Sequence, residues 1–161
     1  DININKNMAD IALKNLIVQG SSIVASQNKG TLTLSNITVE KPTDTGIDIS
    51  VHVGDVELED VTVEYGEKAG AVIDNTAGLK AGNVRVTSSD FLGNSRDGLR
   101  IVTRGKVSID DVEARRNGGD GAEIINEGKF SSVTITNSSF TGNGFSKPTK
   151  DPAYYGLEIN S

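Results

Sequence analysis

A three-residue pattern, apolar–any–apolar, returns along this chain at intervals too long for a helix and too regular for a sandwich. The copies are "IAL" at Ile11, "LTL" at Leu32, "VEL" at Val56, "VRV" at Val84, "VSI" at Val107 and "VTI" at Val133. A second landmark follows each copy at a fixed distance: the offsets from Leu32 to Gly46, Val56 to Gly70, Val84 to Gly98 and Val107 to Gly121 are identical. The first copy shortens that offset, ending at Ser22, and the last stretches it, ending at Gly156, so length changes fall at two corners only. A period of this size with strand-like alternation marks a solenoid, whose repeats bury their apolar side only against one another. Equivalent residues of successive coils are then expected to pair in parallel strands about 4.8 Å apart.

Alternation within each period tells which side chains point inward. One predicted core column is Ile11, Leu32, Val56, Val84, Val107 and Val133; a second is Leu13, Leu34, Leu58, Val86, Ile109 and Ile135. A third runs Val18, Val39, Val63, Phe91, Ala114 and Phe140, and a fourth Ile4, Ala25, Ile49, Ile73, Ile101, Ile124 and Ile159. With 4% aromatic residues the core has to be thin and aliphatic. Eighteen glycines against three prolines fit many short strands joined by tight turns.

The stretch "NGGDGAEI" at 117–124 looks alone like a phosphate or calcium loop, but "NSRDGLRI" at 94–101 is its counterpart one coil earlier. Asn94, Asn117 and Asn143 each lie at the same offset from the start of their strand, and Gly98, Gly121 and Gly156 precede the next one. Both residue types tolerate left-handed backbone, so these columns are expected to be corners. Calcium-binding β-rolls need tandem arrays of glycine and aspartate, which a single copy does not supply.

The period and its N-x-x-D-G-x-x-I elements resemble the right-handed parallel β-helix family, the architecture of pectate lyases and many surface proteins, over the whole chain. The resemblance implies an all-β, right-handed solenoid of about six coils with three short strands per coil. Right-handedness is also the rule for parallel crossovers. Residues 1–161 then form one domain, a piece of or a unit in a longer solenoid.

A formal charge of −6 argues against nucleic acid and anionic membrane surfaces as partners. No stretch is long and apolar enough for membrane insertion as a helix. Without cysteine there is neither a disulfide nor a thiolate metal site. Glycoside hydrolases of the resembling family carry clustered aspartates with a histidine. Here the adjacent pair is Asp110 and Asp111, and Asp111 falls in a strand-end turn column with Asn15, Asn36, Asp60 and Asn137. His52, the only histidine, is expected on the surface between Val51 and Val53. Lyases of the family use aspartate-bound calcium and a basic residue; Arg115, Arg116 and Asp120 supply such groups without the proline-containing context. No catalytic residue is therefore assigned.

Four features remain. Glu40, Glu64, Asp90 and Glu113 fall in neighbouring outward columns, forming either a solvated acidic face or a seat for calcium between coils. Asp97 and Asp120, stacked in adjacent coils, are a second place for a shared cation. The long corner at 144–156 carries Lys147, Lys150, Tyr154 and Tyr155, which suit either a platform for carbohydrate or another partner, or an ordinary packed corner. Finally, "DINI" and "GLEI" occupy one column, so Ile2 and Ile4 at one end and Leu157 and Ile159 at the other could join copies head to tail. The sequence thus reads as a non-catalytic extracellular or cell-surface module, structural or adhesive, able to form a filament. The alternative is a carbohydrate-binding, polysaccharide-lyase or hydrolase fragment.

Overall fold

The computed structural model describes residues 1–78, 82–129, 131–145 and 155–161, and within them every regular element is a β-strand. Seven short strands, β1 (Ile2–Asn5), β3 (Ile23–Ser26), β5 (Ile47–Ser50), β7 (Ala71–Asp74), β9 (Leu99–Thr103), β11 (Ala122–Asn126) and β14 (Leu157–Asn160), form one parallel sheet in that order. The second parallel sheet stacks β2 (Ile11–Gln19), β4 (Leu32–Glu40), β6 (Val56–Glu64), β8 (Val84–Leu92), β10 (Val107–Arg115) and β12 (Val133–Thr136). A further short strand, β13 (Ser139–Thr141), pairs with β10 beyond the end of β12. Each coil contributes one strand to each sheet, so the chain winds as a β-solenoid of about six turns.

The register is the one the alternation predicts. Leu32 pairs with Val56, Leu34 with Leu58, Val39 with Val63, and Ile124 bridges Ile101 and Ile159. Ile47, Ile49, Leu58, Phe91, Leu99 and Ile109 are fully buried. Ile2, Ile4, Ile11, Leu13, Val133, Ile135, Phe140 and Leu157 are only partly covered, because an end coil has a neighbour on one side. Burying one such aliphatic side chain stabilises the fold by roughly 1.5–3 kcal/mol.

Two of the three strands expected per coil are continuous, and the join between them is a single left-handed residue. Asn15, Asn36, Asp60, Ser88 and Asp111 sit inside the long strands β2, β4, β6, β8 and β10 at φ between 47° and 58°, and Asn137 follows β12 at φ 51°. Left-handed backbone here turns the strand through a corner without an inserted loop. Asn and Asp are the non-glycine residues that adopt it most readily.

The Asn and Gly columns at the next corner work differently from the sequence expectation. Neither Asn94, Asn117 and Asn143 nor Gly98 and Gly121 has positive φ; the left-handed residues of this corner are the earlier Lys41, Tyr65, Gly93, Arg116 and Gly142, the last three directly before the asparagines. Gly98 is glycine for space: a Cβ there would lie 2.6 Å from both the carbonyl oxygen of Gly121 and Nδ2 of Asn117.

Candidate functional site

The densest polar constellation is the corner between the second and first sheets, where an asparagine ladder climbs the stack. Oδ1 of Asn94 accepts the main-chain N–H of Gly66 at 3.0 Å, Oδ1 of Asn117 that of Asn94 at 2.9 Å, and Oδ1 of Asn143 that of Asn117 at 2.9 Å. The side-chain amides reach back to main-chain oxygens of the preceding coil: Asn94 to Val63, Asn117 to Phe91 and Asn143 to Ala114. Asn94 and Asn117 are completely buried. Sequence reasoning saw the equal offsets and missed this role; one amide type recurring at one slot in three successive coils was the available signal.

The aspartates of "NSRDGLRI" and "NGGDGAEI" belong to the same bonding scheme. Oδ1 of Asp97 accepts the N–H of Asp120 at 2.9 Å, and Oδ1 of Asp120 accepts the N–H of Tyr155. Burial, together with the nearby carboxylates of Asp97, Glu158 and Glu123, pushes the Asp120 carboxyl above its ordinary range, against the lowering effect of the Tyr155 N–H. The stacked pair is therefore a coil-to-coil hydrogen-bond relay.

The acidic face divides into two stacked pairs in neighbouring columns. Glu40 lies beside Glu64, and Asp90 beside Glu113. Glu40 accepts a hydrogen bond from Gln19 at 2.7 Å, and Glu113 pairs with Arg115 at 3.0 Å. Partial burial and then the Glu113 charge raise the Asp90 carboxyl above its usual range. Among the described residues no three His, Asp or Glu side chains are grouped so as to hold a metal ion. Each step of the stack thus offers at most two carboxylates.

Asp110 faces outward as its column requires, and hydrogen bonds from Thr136 at 2.7 Å and Asn137 at 2.8 Å hold its carboxyl below the usual range. Arg115 is turned to Glu113. Tyr155 is half exposed, and Lys147, Lys150 and Tyr154 lie outside the described residues. Of the end residues, Ile2 and Ile4 on β1 and Leu157 on β14 are partly buried, and Ile159 is exposed.

His52 corrects the sequence reading: it is fully buried, and its neighbour Val51 is the exposed one. Val51 has φ 52°, which inserts a left-handed residue after β5 and shifts the inside–outside alternation by one. No residue type announces this, since a β-branched side chain is among the least suited to such backbone.

Two adjoining hollows on the outer surface of β6 and β8, about 200 and 270 Å³, were also not anticipated. They share Glu57 and Arg85, and the larger adds Asp55, Asn83, Lys106 and Ser108. Three residues lining the larger one form a further relay, Oδ1 of Asp55 accepting from the N–H of Asn83 and Oδ1 of Asn83 from that of Lys106.

These parallel coils, stacked ladders and one-residue corners set the ground for comparison with known proteins. The family model described as "Right handed beta helix region" matches residues 2–161. The chain belongs to the right-handed β-helix family. No curated protein and no solved structure matches this β-helix. The family includes pectate lyases and hydrolases, so membership fixes the architecture and leaves catalysis open.

Proposed function

We propose that this β-helix is a non-catalytic module of the cell exterior, structural or adhesive, that works through rigid shape and repeated outer faces. The observation that carries the reading is the employment of its reactive groups. Asp97, Asp120, Asp55 and Asp110 accept hydrogen bonds from the next coil, and the single histidine is sealed inside. Side chains committed to such partners hold coils together and are poorly placed to act on a substrate.

Assembly with copies of itself is part of the proposal. Among the described residues β1 pairs only with β3 and β14 only with β11, so each leaves one strand edge open there, and Ile4 and Ile159 belong to one column. A second copy could add its β1 to β14, with Leu157 beneath Ile2 and Ile159 beneath Ile4, a heterologous joint that propagates. Further coils of a longer chain would use the same edges. The test is light scattering and electron microscopy over a concentration series, with incubation on pectin, alginate and glycosaminoglycans. Concentration-dependent filaments, blocked by Ile2→Asp or Ile159→Asp, and no released sugar products are expected. Release of unsaturated uronides by the pure protein would overturn the non-catalytic reading, and a strictly monomeric state would overturn the assembly.

The carbohydrate-binding reading is favoured by one observation, the half-exposed ring of Tyr155 beside the long corner. Calorimetry against the same polysaccharides, with calcium varied, should then detect binding that Tyr155→Ala abolishes; heats equal to buffer dilution would remove that reading.

A further inference from the structure

Beneath the corner between β5 and β6 runs a second internal polar ladder, and His52 is its one titratable rung. Asn28, in the coil before, donates from Nδ2 to the carbonyl of Ile4 at 2.7 Å and accepts the N–H of Asn7 at 2.9 Å. Asn75, in the coil after, donates to Gly54 and Gly82 and accepts the hydroxyl of Thr103 at 2.6 Å. Asn126, two coils further on, donates to Gly105 and accepts the N–H of Gly128 at 3.0 Å. Each amide rung uses both its donor and its acceptor. His52 does not: Nε2 stands 3.3 Å from the carbonyl oxygen of Asp55, and Nδ1, wholly buried, has no partner.

A neutral imidazole that donates from Nε2 leaves a bare lone pair at Nδ1, a modest cost. Protonation would convert Nδ1 into a buried cationic donor with no hydrogen bond made in the closed corner, and the Gly30 and Asp55 carbonyls near the ring offset only part of the cost of burying that charge. The charged groups around this corner offer little relief. Asp55 is on the same turn, with its carboxylate taken by Asn83; Asp10, against Gly30, is taken by Thr31; Asp74 in the following coil is taken by Thr76. Lys29, in the preceding coil, adds positive charge beside Val53. The corner is tied to its neighbours by Val53 N–H to Asn28, Gly30 N–H to Val53, Leu32 N–H to Asp55, the Asn75 and Asn83 bonds to Gly54 and Asp55, and a longer contact at the histidine itself, His52 N–H to Asp74 at 3.3 Å. Val51, exposed and left-handed, is its strained lip.

We propose that His52 makes this corner an acid-sensitive seam, at which protonation opens the third coil locally and leaves the rest of the solenoid wound. Because each coil touches only its neighbours, such an opening need not spread. Burial lowers the affinity of His52 for protons below its ordinary value, outweighing the nearby carbonyls and the Asp55 charge. The sign follows: the closed corner is fully favoured above about pH 6.5, and loses stability as pH falls from there towards the depressed value, at which the closed form itself takes up the proton.

The experiment is hydrogen exchange resolved by peptide between pH 7.5 and 5, corrected for the intrinsic pH dependence of exchange, on the wild type and His52→Asn. Asparagine restores the rung type of Asn28 and Asn75. The wild type should lose protection at Gly30, His52 and Val53 by up to about tenfold per pH unit, the limit for one linked proton. Amides of β8 and β10 should be unaffected, and the variant should show no loss. Unchanged protection in the wild type, or equal loss in the variant, overturns the proposal. Should the variant fail to fold, the single histidine resonance of the wild type decides by itself. A proton affinity below the ordinary value, titrating together with the exchange, supports the seam, and titration at the ordinary value with full protection refutes it.

Discussion

Asn94 and Asn117 are joined twice through one atom: Oδ1 of Asn117 accepts the main-chain N–H of Asn94 at 2.9 Å and its side-chain amide at 3.1 Å. Both residues are buried, so removing the acceptor strands two donors in the solenoid wall. Asn117→Ala should cost about 1–3 kcal/mol or more, the penalty for unmade buried hydrogen bonds. Asn143→Ala, in a half-buried rung near the end of the stack, should cost less. Chemical denaturation of the two variants checks the order; equal losses would mean the ladder is not read correctly.

The ladder also protects a chemical weak point. Asn117–Gly118 and Asn143–Gly144 are Asn-Gly pairs, which deamidate when the glycine nitrogen attacks the side-chain amide carbon. Here Gly118 N–H is committed to the Asn94 carbonyl at 2.8 Å and Gly144 N–H to that of Asn117 at 2.9 Å. Mass spectrometry after prolonged incubation should find both asparagines intact in the folded protein and converted in denaturant.

Packing rather than charge carries the wall. Ile109→Ala removes a fully buried side chain and should cost about 2–5 kcal/mol through lost burial and the cavity left behind. Its neighbour Asp110 faces solvent, and Asp110→Ala should cost little by comparison. Thermal melts that ranked Asp110 above Ile109 would contradict the inward columns.

Gly98→Ala is the corresponding test of close approach between coils. Its Cβ meets the Gly121 carbonyl, Asn117 and Ala114, so neighbouring coils have to shift, at about 1–3 kcal/mol. Gly142→Ala, where φ is 63° and nothing lies within 4 Å, strains the backbone alone. Stability measurements should therefore separate a spatial penalty from a conformational one.

Asp120 carries an electrostatic prediction. Its carboxyl is raised in the folded state, chiefly by burial, so ionisation opposes folding above that raised value and the opposition fades as pH falls through it. Asp120→Asn keeps the oxygen that accepts from Tyr155 and removes the charge. The variant should equal or exceed the wild type in stability near neutral pH, and this advantage should disappear below about pH 3.9. A deficit that grew with pH would show the carboxylate to be stabilising.

The stack was legible because apolar slots such as Leu34, Leu58 and Ile109 repeat the same chemistry at the same phase, and pairing in register follows from that repetition. The acidic pairs Glu40–Glu64 and Asp90–Glu113 were legible for the same reason, from their outward phase. What escaped were features set by backbone conformation. Val51 shifts the phase of "VHV" and carries His52 inside, and the left-handed residue at the next corner is Tyr65 or Arg116 rather than an asparagine. Gly98 was recognised as a corner, but its reason, the carbonyl of Gly121 overhead, belongs to a neighbouring coil and leaves no trace in local sequence.

The one-residue corner at Asn15, Asn36, Asp60, Ser88, Asp111 and Asn137 has a practical consequence. It is the same length in every coil, while the remainder of each coil differs in length from one to the next. That edge has no slack, and it behaves as the spine of a book whose pages are cut to different widths. Foreign peptides grafted for display belong at the corner that leads from each short strand to the next long one, 51–55 and its equivalents, where the coils do differ in length. A single residue inserted at the spine would turn the following strand inside out.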